Sequence, residues 1–350
     1  MRILCVIHLY FPQHGAGGER YFHNFAKYLI SKGHEVRVLL MEADYYKIDQ
    51  PYVYEGVEVI PSLPGIEMTG AIHWADRVFT HLSFTTWAIK ISRIFKKPCF
   101  FVSHNTHYYD VVGIHEEVAV IYNSSAMAGI LKYKNPSFVL HPAIDYRKWD
   151  FGGPSGDCIT LVNMNRNKGG LLFINLAMAM PERRFLGVKG SYDPQMIHEL
   201  PANLELVDNS PDMEAVYRRT RILLVPSKYE SWGMCATEAM ANGIPVIYNP
   251  TFGLCENVGE NGIPVKDINP DFGTSEEELK GGESDGIDPV SNVPNWIKAI
   301  KRLDSPVQYR MFSKRARERS VALDPVKELE AFESFIINYN PYAADTYQEG

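Results

Sequence analysis

The chain has 350 residues, of which 45% are hydrophobic and 22% charged, a composition typical of a globular protein of about two domains. The formal net charge is −7, and no broad basic surface of the kind that binds nucleic acid through its phosphates is present. No apolar run reaches the ~18 residues of a membrane helix, and the short apolar start continues without a cleavage site, so we expect a cytoplasmic protein.

The five cysteines do not share a metal-type spacing. Cys5, Cys99 and Cys158 lie in apolar runs, where a free thiol behaves as a small hydrophobic side chain. We therefore expect neither a disulfide framework nor a zinc site. A small basic group, Lys90, Arg93, Lys96 and Lys97, is interpreted as the solvated face of a helix.

Apolar runs and helical periodicity alternate along the first half of the chain. The predicted strands are 3–9, 35–41, 57–61, 77–80, 99–103 and 118–122, and the predicted helices are 19–31, 85–95 and 124–132. Strand–helix alternation of this kind favours a parallel α/β sheet.

The same pattern restarts after a glycine-rich segment at 150–156, which we take as a linker. The predicted strands are 158–163, 184–188, 204–207, 222–225 and 246–248, the predicted helix is 169–180, and the closing helices are 295–302, 307–319 and 326–338. Residues 267–293 are rich in Gly, Asp and Glu, which predicts a long loop. We expect domains at 1–150 and 151–325, followed by a C-terminal helix and tail at 326–350.

Two carboxylates, Glu230 and Glu238, stand where the strand at 222–225 passes into a helix. The helix should begin near Met234 and end at Asn242-Gly243, because glycine readily takes the left-handed conformation that stops a helix. The unpaired N–H groups and the positive dipole at a helix N-terminus suit a phosphate. The first carboxylate precedes the helix and the second lies inside it, so both can face one cleft.

Glu-x7-Glu followed by Ala-Met-Ala-x-Gly-x-Pro-Val resembles the nucleotide-sugar site of retaining glycosyltransferases of the glycosyltransferase 4 group. The resemblance implies the GT-B fold, in which two Rossmann-like domains face each other across a cleft, with the last helix crossing back to the first domain. It implies that Glu230 lies at the donor sugar and that Glu238 binds the ribose. The backbone amides of Gly233, Met234 and Cys235 would hold the diphosphate and the sugar.

The segment 161–170 resembles the strand–loop–Lys-Gly motif of the same family. The resemblance implies that Arg166 and Lys168 neutralise the diphosphate, beside Gly169, and that Asn163 stands where the family often has glycine. Cations of this kind compensate the charge of a leaving nucleoside diphosphate without a metal.

In the first half, Gly17 and Gly18 precede a predicted helix, and His104 follows a buried strand. Open α/β sheets bind ligands at such strand ends, and glycines let the backbone approach a ligand closely. By the resemblance, the glycines lie beside the donor phosphates and the acceptor, and His104 contacts the donor sugar. His107 is the alternative if the register is shifted.

The sequence therefore predicts a metal-independent, retaining glycosyltransferase with a nucleoside diphosphate sugar, UDP- or GDP-linked, as co-substrate and no cofactor. The acceptor stays open between a glycan, a lipid-linked sugar, a metabolite and a modified nucleobase. Aromatic residues in the loops 42–75 and 105–117 suit either stacking on such an acceptor or ordinary loop packing. Two alternatives also stay open: a non-catalytic protein that binds nucleotide sugars, and a nucleotide-sugar epimerase of the same fold.

Overall fold

A computed structural model describes residues 1–62, 68–105, 108–191, 194–197, 199–210, 212–265 and 293–343. These residues form two compact units: residues 1–143 together with 325–343 (unit 1), and residues 144–265 together with 293–324 (unit 2). The predicted loop at 267–293 lies outside the described residues except for its last residue, where a helix begins. His107 also lies outside the described residues.

Unit 1 is built on an eight-stranded sheet with the order β3-β4-β2-β1-β5-β6-β7-β8. The strands are β1 (Arg2–Ile7), β2 (Glu35–Leu40), β3 (Tyr52–Tyr54), β4 (Val57–Pro61), β5 (Arg77–Thr80), β6 (Cys99–Ser103), β7 (Val118–Tyr122) and β8 (Ser137–Val139). The helices before residue 144 are α1 (Gly17–Ser31), α2 (Met68–Trp74), α3 (Thr85–Ile94), α4 (Tyr109–Gly113) and α5 (Ser125–Leu131). All strand pairs are parallel except β3 with β4.

The continuous apolar run of β1 follows from its burial on both faces of the sheet. Ile3, Cys5 and Ile7 pack into one hydrophobic cluster, while Leu4 and Val6 pack into another. Successive side chains of a strand point to opposite faces, so a central parallel strand covered on both sides needs apolar residues at every position.

Unit 2 is built on a six-stranded parallel sheet with the order β11-β10-β9-β12-β13-β14. The strands are β9 (Cys158–Val162), β10 (Phe185–Val188), β11 (Leu204–Val207), β12 (Thr220–Val225), β13 (Val246–Tyr248) and β14 (Ile263–Pro264). The helices are α6 (Gly170–Ala179), α7 (Glu214–Arg219), α8 (Met234–Ala241), α9 (Phe252–Asn257), α10 (Val293–Arg302) and α11 (Pro306–Ala322). The predicted fold class, α/β with two parallel sheets, is confirmed.

The last helix of the described chain, α12 (Val326–Asn338), belongs to unit 1. Its buried face, Leu329, Phe332 and Ile336, joins the same cluster as the core residues of β1 and α1. None of the helices among the described residues is long and apolar enough to cross a bilayer.

Two of the differences from the sequence-based expectation concern the start of α1 and the edge of the first sheet. The helix predicted from residue 19 begins at Gly17, so Gly17 and Gly18 lie in its first turn rather than in the preceding loop. The antiparallel strand β3 was missed, because it is only three residues long and lies at the edge of the sheet with Val53 68% exposed.

Candidate functional site

The ends of two neighbouring strands bring the predicted donor residues of unit 2 together. β9 and β12 are parallel neighbours, so the loops that follow them leave the same edge of the sheet. Lys168 comes from the first loop and Glu230 from the second, and the Lys168 Nζ donates a hydrogen bond to Glu230 Oε1 at 2.6 Å. Ser227 Oγ donates to the same oxygen at 2.9 Å. Both side chains of the ion pair are mostly buried.

The turn that enters α8 is held by buried hydrogen bonds. Gly233 takes a φ of +85° as the residue before the helix, in the left-handed region that favours glycine. Asn257 Nδ2 donates to the carbonyl oxygens of Trp232 and Gly233, each at 3.0 Å. Helix α8 begins at Met234, as predicted, with Cys235 next. Its first turn has N–H groups without helical acceptors, an arrangement that favours a negatively charged ligand.

Glu238 lies inside α8 and is only 5% exposed. The hydroxyl of Tyr217 donates to Glu238 Oε2 at 2.7 Å, and Tyr217 is itself buried. A buried carboxylate needs such a donor, since burial of a charge without one is costly. The contact between Tyr217 and Glu238 was not predicted from the sequence.

The loop before α6 adopts two left-handed residues. Gly169 has a φ of +91°, and a Cβ there would lie 2.4 Å from Pro226 Cγ. Asn163 has a φ of +71°, which is the physical reason why glycine suits this position. The Asn163 Oδ1 accepts hydrogen bonds from the Asn165 N–H and the Gln195 Nε2, both at 3.2 Å. Arg166 is exposed, and its carbonyl oxygen accepts from the Gly169 N–H.

In unit 1 the predicted residues His104 and Gly18 lie beside each other. A Cβ on Gly18 would stand 3.9 Å from His104 Nε2 and 3.4 Å from His81 Cε1. His104 and His81 follow β6 and β5, which are parallel neighbours, and their rings lie 5.2 Å apart. Gly17, at the start of α1, is exposed. His81 was not singled out from the sequence; it also follows a buried strand, and that signal would have identified it.

Burial favours the neutral forms of the titratable groups in this part of unit 1. Desolvation lowers the pKa of His104 to about 4 and raises the pKa of the Glu19 carboxyl to about 7. It also holds the pKa of His81 well below the usual value, with the neighbouring His104 adding to the effect. A neutral imidazole at His104 both donates and accepts hydrogen bonds, which suits a sugar hydroxyl.

The two parallel-sheet units define the class to which the architecture belongs, the GT-B fold. Sucrose-phosphate synthase of Thermosynechococcus elongatus has a TM-score of 0.71 at 17% identity, covering 96% of this chain and 98% of that one. HepE of Anabaena, in complex with UDP and glucose, has a TM-score of 0.66 at 15% identity, with 95% and 100% covered. The pneumococcal O-GlcNAc transferase GtfA, in complex with UDP and GlcNAc, has a TM-score of 0.72 at 10% identity, with 96% and 99% covered.

The family match lies within unit 2. Residues 195–271 match the family described as glycosyl transferases group 1, and this segment contains Glu230 and Glu238. The chain is 38% identical over 65 residues to an uncharacterized glycosyltransferase of Methanocaldococcus jannaschii, a match that covers 18% of this chain and 17% of that protein.

Proposed function

We propose that the protein is a glycosyltransferase that moves a sugar from a nucleoside diphosphate sugar to a hydroxyl acceptor. The observation that carries the proposal is the contact between Lys168 and Glu230 at 2.6 Å, beside the N-terminus of α8. A cation and a helix N-terminus compensate the charge of a leaving diphosphate. A carboxylate next to them accepts hydrogen bonds from sugar hydroxyls.

In the proposed cycle the donor phosphates compete with Glu230 for Lys168. When Lys168 pairs with the diphosphate instead of with Glu230, Glu230 becomes available to bind the sugar. Glu238 would bind the ribose, the Gly233, Met234 and Cys235 amides would bind the phosphates, and His104 would position the sugar. The proposal also includes retention at the anomeric carbon and donor cleavage without a metal. These two parts rest on the family resemblance.

UDP is the first donor nucleotide to test, since the HepE and GtfA structures are both complexes with UDP. The experiment is a thermal-shift and turnover screen of the full chain with UDP-, GDP-, ADP- and TDP-sugars. Binding to the native state raises the melting temperature in proportion to RT ln(1 + [L]/Kd). We expect one base to stabilise the protein and its sugar nucleotide to be hydrolysed slowly.

Lys168→Met and Glu230→Gln should weaken that response, by about tenfold or more in Kd for the lysine variant, as expected for a lost charge-assisted contact. Lys189→Met is the matched control, because Lys189 pairs with Asp208 at 2.7 Å on an exposed surface of the same unit. Binding without release of nucleoside diphosphate, in the presence of acceptor libraries, would favour a non-catalytic binding protein. Inversion of a sugar hydroxyl without release would favour an epimerase. Equal responses of Lys168→Met and Lys189→Met would contradict the assigned site.

A further inference from the structure

A group of buried polar side chains in unit 1 plays no part in the proposed donor chemistry. His8 follows β1, His81 follows β5, and Glu19 lies in the first turn of α1. β1 and β5 are parallel neighbours in the sheet, so their carboxyl ends meet at one edge, where α1 also begins. One ligand atom from each of the three side chains lies within 4.8 Å of the others.

The spacing of these atoms fits an ion between them better than direct hydrogen bonds. His8 Nε2 lies 3.9 Å from Glu19 Oε1, which is too long for a hydrogen bond. Two ligands of a tetrahedral ion with ordinary bond lengths lie about 3.4 Å apart. Small movements of these side chains would therefore place all three within bonding distance of one ion.

The burial of His81 is a second, independent observation in favour of a bound ion. His81 is fully buried, and within the described ranges neither of its ring nitrogens has a hydrogen-bond partner. The Glu19 Oε2 is likewise buried without a hydrogen-bond partner among the described residues. Buried polar atoms without a partner destabilise the folded state and require an explanation. A bound cation would satisfy one ring nitrogen of His81 and the Glu19 carboxylate at once.

His14 lies next to the second carboxylate oxygen of Glu19. Its Nε2 lies 3.9 Å from Glu19 Oε2, and its Nδ1 is hydrogen-bonded to the Tyr46 hydroxyl at 3.0 Å. Such a partner fixes the ring, as outer hydrogen bonds do around metal sites. At 3.9 Å its Nε2 is too far from Glu19 for a hydrogen bond, so His14 borders the group without being one of its three members.

We propose that His8, Glu19 and His81 bind a divalent transition-metal ion of the zinc type. Two imidazoles and one carboxylate suit zinc, cobalt or nickel, whereas magnesium and calcium prefer oxygen ligands throughout. Three protein ligands leave a coordination position open for water or a hydroxyl group. Access to the site is through His8, whose side chain is 19% exposed while that of Glu19 is 3% exposed.

The test is a titration of the tag-free, chelator-treated full chain with CoCl2, followed by visible d–d absorption and then by displacement with ZnCl2. Removal of any polyhistidine tag is necessary because it binds the same ions. We expect one equivalent of cobalt to bind with the absorption of a four-coordinate site and to be displaced by zinc. The cobalt absorption does not depend on sugar transfer, so it tests metal binding independently of the proposed function.

Glu19→Gln and His8→Gln should each weaken cobalt binding at least tenfold. His8→Gln is the safer variant for folding, since His8 is the least buried of the three. Glu333→Gln is the matched control, because Glu333 pairs with His34 at 2.9 Å in the same unit, away from these residues in the fold. Absence of saturable one-equivalent binding in the wild type, or equal weakening by Glu333→Gln and His8→Gln in folded proteins, would overturn the proposal.

Discussion

At the scale of single residues, Glu238 combines burial with a proposed role in ribose binding. Its carboxylate is 5% exposed and accepts a hydrogen bond from Tyr217 at 2.7 Å. The motif identified Glu238 from the sequence, but not the tyrosine, which lies on a different helix. The hydroxyl fixes one oxygen of the carboxylate and thereby sets the direction of the other.

Tyr217→Phe removes this hydroxyl and should lower the free energy of unfolding of unit 2 by about 1–3 kcal/mol, because the buried carboxylate loses a donor. It should also raise the Kd for the nucleotide about tenfold, since Glu238 would no longer be held in place. Urea unfolding and calorimetric titration with the nucleotide measure the two effects.

Tyr248→Phe is the control for this variant. The Tyr248 hydroxyl donates to the Gly259 carbonyl oxygen at 2.9 Å, so its loss removes a hydrogen bond of the same unit without touching Glu238. We expect reduced stability with an unchanged Kd. If both variants changed the Kd equally, Tyr217 would have no specific role at the site.

At the scale of elements, some of the predicted boundaries were confirmed to the residue and others were shifted by a few positions. The strands Val57–Pro61 and Cys99–Ser103 were predicted to the residue, and α8 begins at Met234 as expected. The start of α1 was placed two residues late, because Gly17 and Gly18 are weak helix formers and the hydrophobic periodicity only begins after them.

The turn before α6 depends on glycine for two reasons that add. At Gly169 the backbone is left-handed, and a Cβ would collide with the rigid ring of Pro226 at 2.4 Å. Gly169→Ala should therefore cost about 1–2 kcal/mol of backbone strain and about 1–3 kcal/mol more for the collision. Displacement of the neighbouring Lys168 should also weaken nucleotide binding.

The matched control is Gly153→Ala in the same unit. Gly153 has a φ of +92°, close to that of Gly169, but nothing lies within 4 Å of the added Cβ. This variant should show the backbone strain alone and normal nucleotide affinity. Urea midpoints and nucleotide Kd values compare the two, and equal losses in both variants would show that the contact with Pro226 is not important.

At the scale of the whole molecule, the two units have separate cores. Phe332 on α12 is fully buried and packs against Phe25 and Phe79 of unit 1, with ring centroids 5.6 and 6.0 Å apart. Phe312 on α11 is buried in unit 2. The chain thus leaves unit 1 at Ala143 and returns at Pro325, so unit 1 needs its C-terminal helix to complete its core.

Phe332→Ala should lower the stability of unit 1 by about 3–5 kcal/mol, through lost burial and a cavity. Hydrogen exchange of β1 should accelerate, while that of β12 should change little. Phe312→Ala should give the reverse pattern. Uniform acceleration of both strands in either variant would mean that the two cores unfold as one cooperative unit rather than separately.

The sequence by itself determined the alternation of strands and helices and therefore the α/β class. It also identified the segment from Glu230 to Ile247 as a candidate nucleotide-sugar motif. Each of these depends on local periodicity or on the composition of one stretch of chain. Only the tertiary structure decided which side chains meet. Lys168 contacts Glu230 across 62 positions of sequence, and His8 lies beside His81, because β12 pairs with β9 and β5 pairs with β1. Strand order arises from packing of the complete core, and hydrophobic periodicity does not encode it.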